Sequence, residues 1–306
     1  MAARLATLLA AATMALTGPA VVAQAQAPAQ APAASTVNAF LNITPKRLTF
    51  DARRRNGQVV LLNQGTEAVT VDIAMIDRVM LTDGQIFSLE DADKRADGKA
   101  AAAQLKSAKD LVQISPRRAT LQPGRAQTVR IRMSTLPDAA GGEYRSHLTV
   151  TTLPPRETGA TAEAAAAPGG ANELRFNITA VYGLSIPVII RPADADVRAT
   201  LEDAKLEFPD VSADGRAPSR RTPVVSLDLV RAGASSVYGN FEVHVVGEKK
   251  GAEPLGLARG VAVYPEITRR KVRIPLSRTP VAGEKLEVTF TDDDTSPGKV
   301  LAKAAL

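Results

Sequence analysis

The sequence offers few side chains for covalent chemistry. It contains no cysteine, which excludes a thiol nucleophile, and its 2 histidines, His147 and His244, are too few for a histidine-rich zinc site. Each histidine lies in an alternating apolar run, "RSHLTVTTL" or "FEVHVVGE", so we expect it to be bonded to a neighbour. Motifs of phosphate-binding loops, dinucleotide-binding loops, zinc peptidases and serine hydrolases are absent from the sequence. These absences favour a protein that is not an enzyme and needs no cofactor.

One acidic stretch, "TDDDTS" at residues 291–296, places three carboxylates side by side. Clustered carboxylates suit calcium, but the stretch lacks the spaced ligands and the glycine of an EF-hand loop. We therefore expect a solvated acidic turn and no metal.

Any site must be held by short strands, because apolar residues alternate with other residues along much of the chain. Turn signals such as Asn56-Gly57 and Pro123-Gly124 separate these runs. The spacing predicts an antiparallel β-sandwich. Its predicted strands are residues 48–50, 59–62, 69–75, 111–114, 128–133 and 147–152.

A second β-rich segment follows Arg191-Pro192, with predicted strands at residues 222–230, 238–246, 257–264, 271–276 and 286–290. We therefore predict an all-β protein of two sandwich domains, at residues 36–192 and 193–306. Aromatic residues make up 4% of the chain and tryptophan is absent, so the cores must be built mainly from valine, leucine, isoleucine and alanine.

The first residues predict export. Arg4 precedes an apolar run at residues 5–16, and Ala23-Gln24-Ala25 follows, which is typical of a secretory signal peptide at residues 1–25. Gly18 and Pro19 end the apolar run too early for a membrane-spanning anchor. Residues 26–35, rich in Ala, Pro and Gln, predict a flexible lead-in. We expect the mature chain outside the cytoplasm and not inserted in a membrane.

The formal net charge of +6 comes from arginines and lysines scattered along the chain. No basic cluster is interleaved with aromatic residues, so nucleic acid is not expected as a partner.

Two insertions interrupt the strand pattern. Residues 90–110, rich in Ala, Lys and Asp, predict either a short surface helix or a mobile segment. Residues 154–173 have no periodicity, and structureless loops of this length are usually functional or disordered.

Residues 174–188, "LRFNITAVYGLSIPV", form an unusually long alternating row. A strand has about 5 to 6 residues on average, so one small domain cannot easily cover a row of this length. The row therefore either projects from its domain, faces its own core throughout, or breaks at Gly183 into two ordinary strands. Its apolar members are Leu174, Phe176, Ile178, Ala180, Tyr182, Leu184, Ile186 and Val188.

Three stretches resemble the periplasmic pilus-assembly chaperones of the chaperone-usher pathway. They are "ITPKRLTFDARRRNGQVVLLNQGTEAVTVDI", "ISPRRATLQPGRAQTVRIRM", and "GEYRSHLTVTTLPP" followed by a loop and "YGLSIPVIIRP". The resemblance spans residues 42–192, whereas the second domain fits mainly by length and β character. It implies two immunoglobulin-like domains and a non-enzymatic chaperone that needs no cofactor.

In that family the seventh strand of the first domain completes an unfinished pilin subunit by strand addition. The resemblance therefore implies that the part of the row nearest the loop binds the subunit. The residues expected to do so are Leu174, Phe176, Ile178, Ala180 and Tyr182.

The family also holds the subunit's C-terminal carboxylate with two basic residues between the domains. Arg47, just before "LTF", matches the first of them, and an arginine fork suits a carboxylate. The alternative is a solvated arginine at a strand edge. The second position falls at Pro187, where the family has lysine, so Arg145 and Arg191 are the candidate substitutes.

These observations predict a periplasmic chaperone for pilin or fimbrial subunits, which would pass them to an outer-membrane usher. A dimer in which two free copies cap each other's exposed strand is one form open to the protein before it binds a subunit. The alternative is a structural or adhesive cell-surface sandwich protein without chaperone activity.

Overall fold

The computed structural model describes residues 41–154, 181–211, 219–249 and 251–306. The predicted signal peptide, the lead-in and residues 155–173 of the predicted loop lie outside the described residues. Residues Thr36–Leu306 form one compact unit. Within its described part, strands far outnumber helices, and the all-β prediction is confirmed.

The first sandwich has sheets of strand order β1-β3-β9-β7 and β2-β11-β10-β4-β8. If β1 and β2 are lettered as one strand A, the sheets read A-B-E-D and G-F-C, as in an immunoglobulin domain. The elements of this part are β1 (Leu41–Thr44), β2 (Leu48–Asp51), β3 (Asn56–Asn63), β4 (Val69–Ile76), β5 (Arg78–Met80), β6 (Ile86–Ser88), α1 (Leu89–Asp93), α2 (Ala96–Gln104), β7 (Val112–Ser115), β8 (Arg118–Leu121), β9 (Ala126–Met133), β10 (Tyr144–Thr152) and β11 (Gly183–Arg191).

The second sandwich has sheets of strand order β12-β15-β18 and β17-β16-β19-β20, which is again an immunoglobulin-like arrangement. A two-stranded ribbon, β13-β14, is added to it. The strands are β12 (Ala199–Glu207), β13 (Asp210–Val211), β14 (Arg220–Arg221), β15 (Val224–Arg231), β16 (Val237–Val245), β17 (Gly256–Val263), β18 (Arg269–Pro275), β19 (Leu286–Asp292) and β20 (Val300–Ala305).

Alternation along the strands builds a separate hydrophobic core in each sandwich. In β9, for example, Val129, Ile131 and Met133 are buried in the first core, and the residues between them face solvent. In the second core the rings of Phe241 and Phe290 pack with centroids 4.6 Å apart. Strands such as β9 thus bury one face, as the sequence predicts, whereas the central strand β10 is buried on both faces.

A crossover segment, residues 78–105, leaves the first sandwich and packs into the core of the second. It comprises the β5-β6 hairpin and helices α1 and α2, and it buries Val79, Ala92 and Ala101 against the second core. Ser88 caps α1, since its hydroxyl accepts a hydrogen bond from the Asp91 amide at 3.1 Å. The insertion predicted as a surface helix or mobile segment is therefore helical: most residues of α1 and α2 are exposed, and Ala92, Gly98 and Ala101 are the buried ones. The boundary proposed after Pro192 stays a prediction, because this segment and the second sandwich share one core.

Ala101 and Ala103 provide a matched test of this packing, because both lie on α2 but only Ala101 is buried. Ala101→Asp should place an unpaired carboxylate in an apolar core and lower the free energy of unfolding by about 3 kcal/mol or more. Ala103→Asp should cost well under about 1 kcal/mol, because only helix propensity changes. Urea unfolding of both variants measures the difference, and equal losses would show that α2 is a loose surface helix.

Candidate functional site

Two of the predicted basic residues, Arg47 and Arg191, meet at the seam between the two sandwiches. A cleft of about 690 Å³ opens there, and Arg53, Arg54, Arg191 and Asp294 contribute to its lining. We call it the seam cleft. Arg191 is the last residue of β11, and Asp294 lies in the turn that follows β19.

Arg47 lies between β1 and β2, and its side chain is only 9% exposed. Its Nη2 donates to an Asp294 carboxylate oxygen at 2.9 Å and to the Ser236 hydroxyl at 3.1 Å. The guanidinium carbon also lies 4.8 Å from the centre of the Tyr238 ring. The alternative of a solvated arginine is therefore wrong. Within the described part of the chain, Nε and Nη1 of Arg47 are buried and have no hydrogen-bond partner.

Arg191 connects the two sandwiches through two carboxylates. Its Nε donates to Glu143 at 2.8 Å, and its Nη2 lies 2.8 Å from the Asp294 carboxylate that also binds Arg47. Burial disfavours the charged guanidinium, but the charges of Glu143 and Asp294 outweigh it and raise the pKa of Arg191. The cluster of Arg47, Arg191, Glu143 and Asp294 thus balances two positive and two negative charges.

Asp294 corrects the prediction of a solvated acidic turn. Burial alone would raise the pKa of Asp294, but Arg47 and Arg191 lower it below its ordinary value. The neighbouring Asp292 is buried and accepts hydrogen bonds from the Asp294 and Ser296 amides, which fixes the turn. Two of the carboxylates therefore organise the seam. Among the described residues, no group of acidic or histidine side chains is arranged to hold a metal ion.

Arg145 belongs to a second buried cluster and does not reach the seam carboxylates. Its side chain is 1% exposed, and its Nη2 is paired with Glu266 and donates to the Arg78 carbonyl at 2.8 Å. Glu266 also accepts a hydrogen bond from the Met80 amide at 3.0 Å. This second cluster ties the crossover segment to both sandwiches. Neither substitute proposed for the family lysine is free, since Arg191 and Arg145 each hold an internal carboxylate.

His147 is buried and bonded to a neighbour, as expected. Its ring nitrogen Nδ1 lies 3.0 Å from Arg145 Nη1, and the ring packs edge-on against Tyr264 with centroids 6.4 Å apart. Burial, aided by the positive charges of Arg145 and Arg78, lowers the pKa of His147 from 6.5 to about 2. His244 lies near the surface, with Nε2 3.2 Å from Glu242. His147 is therefore a neutral structural residue and not a proton donor.

This burial predicts a loss of stability in acid. Because the folded state keeps His147 neutral while the unfolded state takes up a proton near pH 6.5, stability falls as the pH decreases from 6.5 towards about 2. At pH 5 the histidine alone should cost about 2 kcal/mol relative to neutral pH. His147→Gln should remove that part of the pH dependence, and His244→Gln should leave it in place. Urea unfolding at pH 7 and pH 5 measures both, and identical pH slopes for His147→Gln and the wild type would contradict the assignment.

Pro187 occupies a position of β11 where the missing amide hydrogen is tolerated. Pro187 lies opposite His147 of β10, and the parallel pairing of β11 with β2 begins only at Val188. Between Gly183 and Pro187 the outer edge of β11 has no partner among the described strands. Position 187 therefore carries no positive charge. The arginine of β11 is Arg191, the last residue of the strand.

The alternating row of β11 changes from buried to exposed towards its start. Val188 and Ile186 are buried in the first core, Leu184 is half-buried, and Tyr182 is 45% exposed. The assigned strand begins at Gly183, yet the Tyr182 carbonyl still accepts a hydrogen bond from the Thr152 amide at 2.8 Å. The other predicted subunit-binding residues lie outside the described residues: Leu174, Phe176, Ile178 and Ala180.

Glu143, Ser236 and Glu266 are seam residues that the sequence reasoning did not single out. Each pairs with an arginine or amide far away in the chain, as in the 93 positions that separate Ser236 from Glu143. Alternation in "GGEYRSH" places Glu143 and Arg145 on one face. That pattern could have identified a charged, buried face, but it carries no information on the partners.

None of the helices in the described residues has the length and apolar character that crossing a membrane requires. The residues of the described site lie on strands and on the turns between them.

Comparison with known proteins finds no matching family model and no matching curated protein. Several solved chaperone structures are similar in fold. The YadV chaperone has 11% identity and a TM-score of 0.42, with 87% of this chain and 99% of that chain covered. The E. coli chaperone DraB has 12% identity and a TM-score of 0.42, with 88% and 96% covered. The Acinetobacter baumannii CsuC-CsuE chaperone-tip adhesion subunit complex has 14% identity and a TM-score of 0.40, with 88% and 97% covered. At these values the similarity carries no argument about function, which must come from the residues themselves.

Proposed function

We propose that this protein is a non-enzymatic periplasmic chaperone that binds a pilin or fimbrial subunit by donating a strand. The observation that carries the proposal is the row of β11, whose alternate side chains pass from fully buried at Val188 to exposed at Tyr182 along an edge without a described partner. Such an edge accepts a partner strand by β-augmentation, with backbone hydrogen bonds for affinity and side chains for specificity.

The subunit-binding residues in this proposal are the members of the row that precede Gly183. Each apolar side chain that enters a groove of the subunit would contribute roughly 1.5 to 3 kcal/mol. Several in series would hold the subunit and cover its exposed edge until an outer-membrane usher receives it. The proposed residues are Leu174, Phe176, Ile178, Ala180 and Tyr182.

Arg47 is the proposed ligand of the subunit's C-terminal carboxylate. Its Nε and Nη1 are buried donors without a partner in the described residues, and a carboxylate offers two acceptor oxygens. Asp294 engages only Nη2, which leaves two donors for a second carboxylate. Because both are buried, the subunit's carboxylate would reach them only if the seam opened around Arg47. Pro187 offers no cation of its own, which leaves Arg47 as the main anchor in this proposal.

Co-purification of a tagged chain from the periplasm tests the strand. Mass spectrometry should identify a small pilin-like subunit bound to the wild type and absent from Ile178→Asp, because a carboxylate cannot enter an apolar groove. Asn177→Asp adds the same charge on the other face of the row and should retain the subunit. Capture that survives Ile178→Asp would contradict strand donation. If the wild-type chain is recovered as a monomer without a partner, from cells that also express the genes adjacent to its own gene, the structural or adhesive alternative is favoured.

The anchor is tested by Arg47→Ala in the same co-purification. We expect the recovered subunit to fall at least about tenfold, since the loss of one partner from a buried charged contact typically costs 2 to 5 kcal/mol or more. Arg53→Ala removes a charge from the seam cleft that is not proposed as an anchor and should change recovery less than about twofold. Urea unfolding of both variants separates weakened capture from unfolding. Full recovery with Arg47→Ala would remove Arg47 from the binding site.

A further inference from the structure

The outer face of the sheet β1-β3-β9-β7 carries two exposed arginines side by side. Arg130 and Arg132 alternate with the buried Val129, Ile131 and Met133 of β9, so both guanidinium groups lie on the solvent face. They line a shallow depression of about 680 Å³, and no acidic residue is among its lining residues. We call this surface the β9 arginine face.

Several of the other exposed arginines, though not all, are neutralised by a carboxylate. Arg118 is paired with Asp72 on the neighbouring strand, and Arg278 is paired with Glu284. Arg198 and Arg269 also pair with carboxylates. In the described part of the chain, neither Arg130 nor Arg132 forms an ion pair or a side-chain hydrogen bond. The positive charges of Arg130 and Arg132 lie side by side and repel each other, so binding of an anionic group to both is favourable.

The flanking strands add uncharged polar groups on both sides of each arginine. Arg130 lies opposite Gln58 of β3 and Ser115 of β7, and Arg132 lies opposite Asn56 and Gln113. All four neighbours are exposed. Amide and hydroxyl side chains both donate and accept hydrogen bonds, which matches the N–H and C=O groups of a peptide backbone. A phosphate or sulfate needs donors only, so a peptide makes better use of this surface.

The spacing of the two arginines defines the form of the peptide. Residues two apart on a strand are separated by about 6.6 Å on the same face. An extended peptide with acidic residues at alternate positions repeats its carboxylates at the same distance, and each carboxylate can bind one arginine in a bidentate manner.

We propose that the β9 arginine face binds an extended acidic segment of a partner protein, with glutamate or aspartate at alternate positions. Because β9 and β11 lie in opposite sheets of the first sandwich, this face stays free when a strand is added to β11. The interaction is thus independent of the proposed subunit site, and it holds whether or not the protein is a chaperone.

Fluorescence polarisation tests the proposal with a labelled eight-residue peptide of alternating glutamate and threonine. The wild-type protein should bind it at low salt and lose affinity as salt increases. The double variant Arg130→Gln/Arg132→Gln should bind at least about tenfold more weakly. Arg118→Gln, which removes an exposed arginine that is already paired, should change the affinity less than about twofold. An alternating glutamine and threonine peptide serves as the uncharged control.

Other outcomes would overturn the proposal. One is no binding of the glutamate peptide up to millimolar concentration, and another is equal binding by the double variant. Anionic phospholipid vesicles and inorganic phosphate are tested in parallel. If these depend on the two arginines and the peptide does not, the face binds phosphate groups and not an acidic segment. Both arginines are on the surface, so urea unfolding should show unchanged stability in the double variant.

Discussion

The structure depends on the burial of charge between two sandwiches that have no disulfide to join them. Arg191 lies at the centre, because it ends the strand of the first sandwich and binds carboxylates from both. Removing such groups from water is costly, and the cost is offset only if every charge has a partner. Here Glu143 and Asp294 supply the negative charges, and Arg47 supplies a second positive charge. These ion pairs therefore help to fix the relative position of the sandwiches.

The crossover segment makes the same connection with apolar contacts. Val79 and Ala101 are buried in the second core, and the Arg145–Glu266 pair lies beside the segment. Ile189 of β11 contributes to the second core, while its neighbours Val188 and Ile190 contribute to the first. One strand thus serves both cores and ends at the central arginine. The C-terminal half of β11 is therefore anchored in both cores, while its start is exposed.

Much of the fold follows from local sequence patterns, and the exceptions have physical reasons. Strands with clear alternation, such as β3, β4 and β9, are predicted because each buries one face. β12 escapes this reasoning, since its register shifts between Glu202 and Lys205 and Asp203 has a positive φ of 51°. The β5-β6 hairpin is missed, and the packing of α2 is not foreseen, because their burial comes from the second core, which local sequence does not reveal.

The candidate site was likewise predictable from the sequence only in part. Arg47 can be identified from the sequence because of its position just before β2. Its partner Asp294 lies 247 positions away. No local pattern identifies such a pair. The sequence alone predicts that the acidic turn at residues 291–296 is solvated, because only the fold brings Asp294 to the seam. Alternation shows that the β11 row is unusually long but leaves three possibilities for its start, and only the family resemblance assigns that start to subunit binding.

The central claim is that the segment before Gly183 becomes a strand of the subunit. Hydrogen–deuterium exchange of the co-purified complex, compared with the free chain, tests this most directly. The account predicts that amides at residues 174–182 exchange more slowly in the complex, while those of β20, in the second sandwich, do not change. A stable complex with unchanged exchange at residues 174–182 would show that the subunit binds elsewhere.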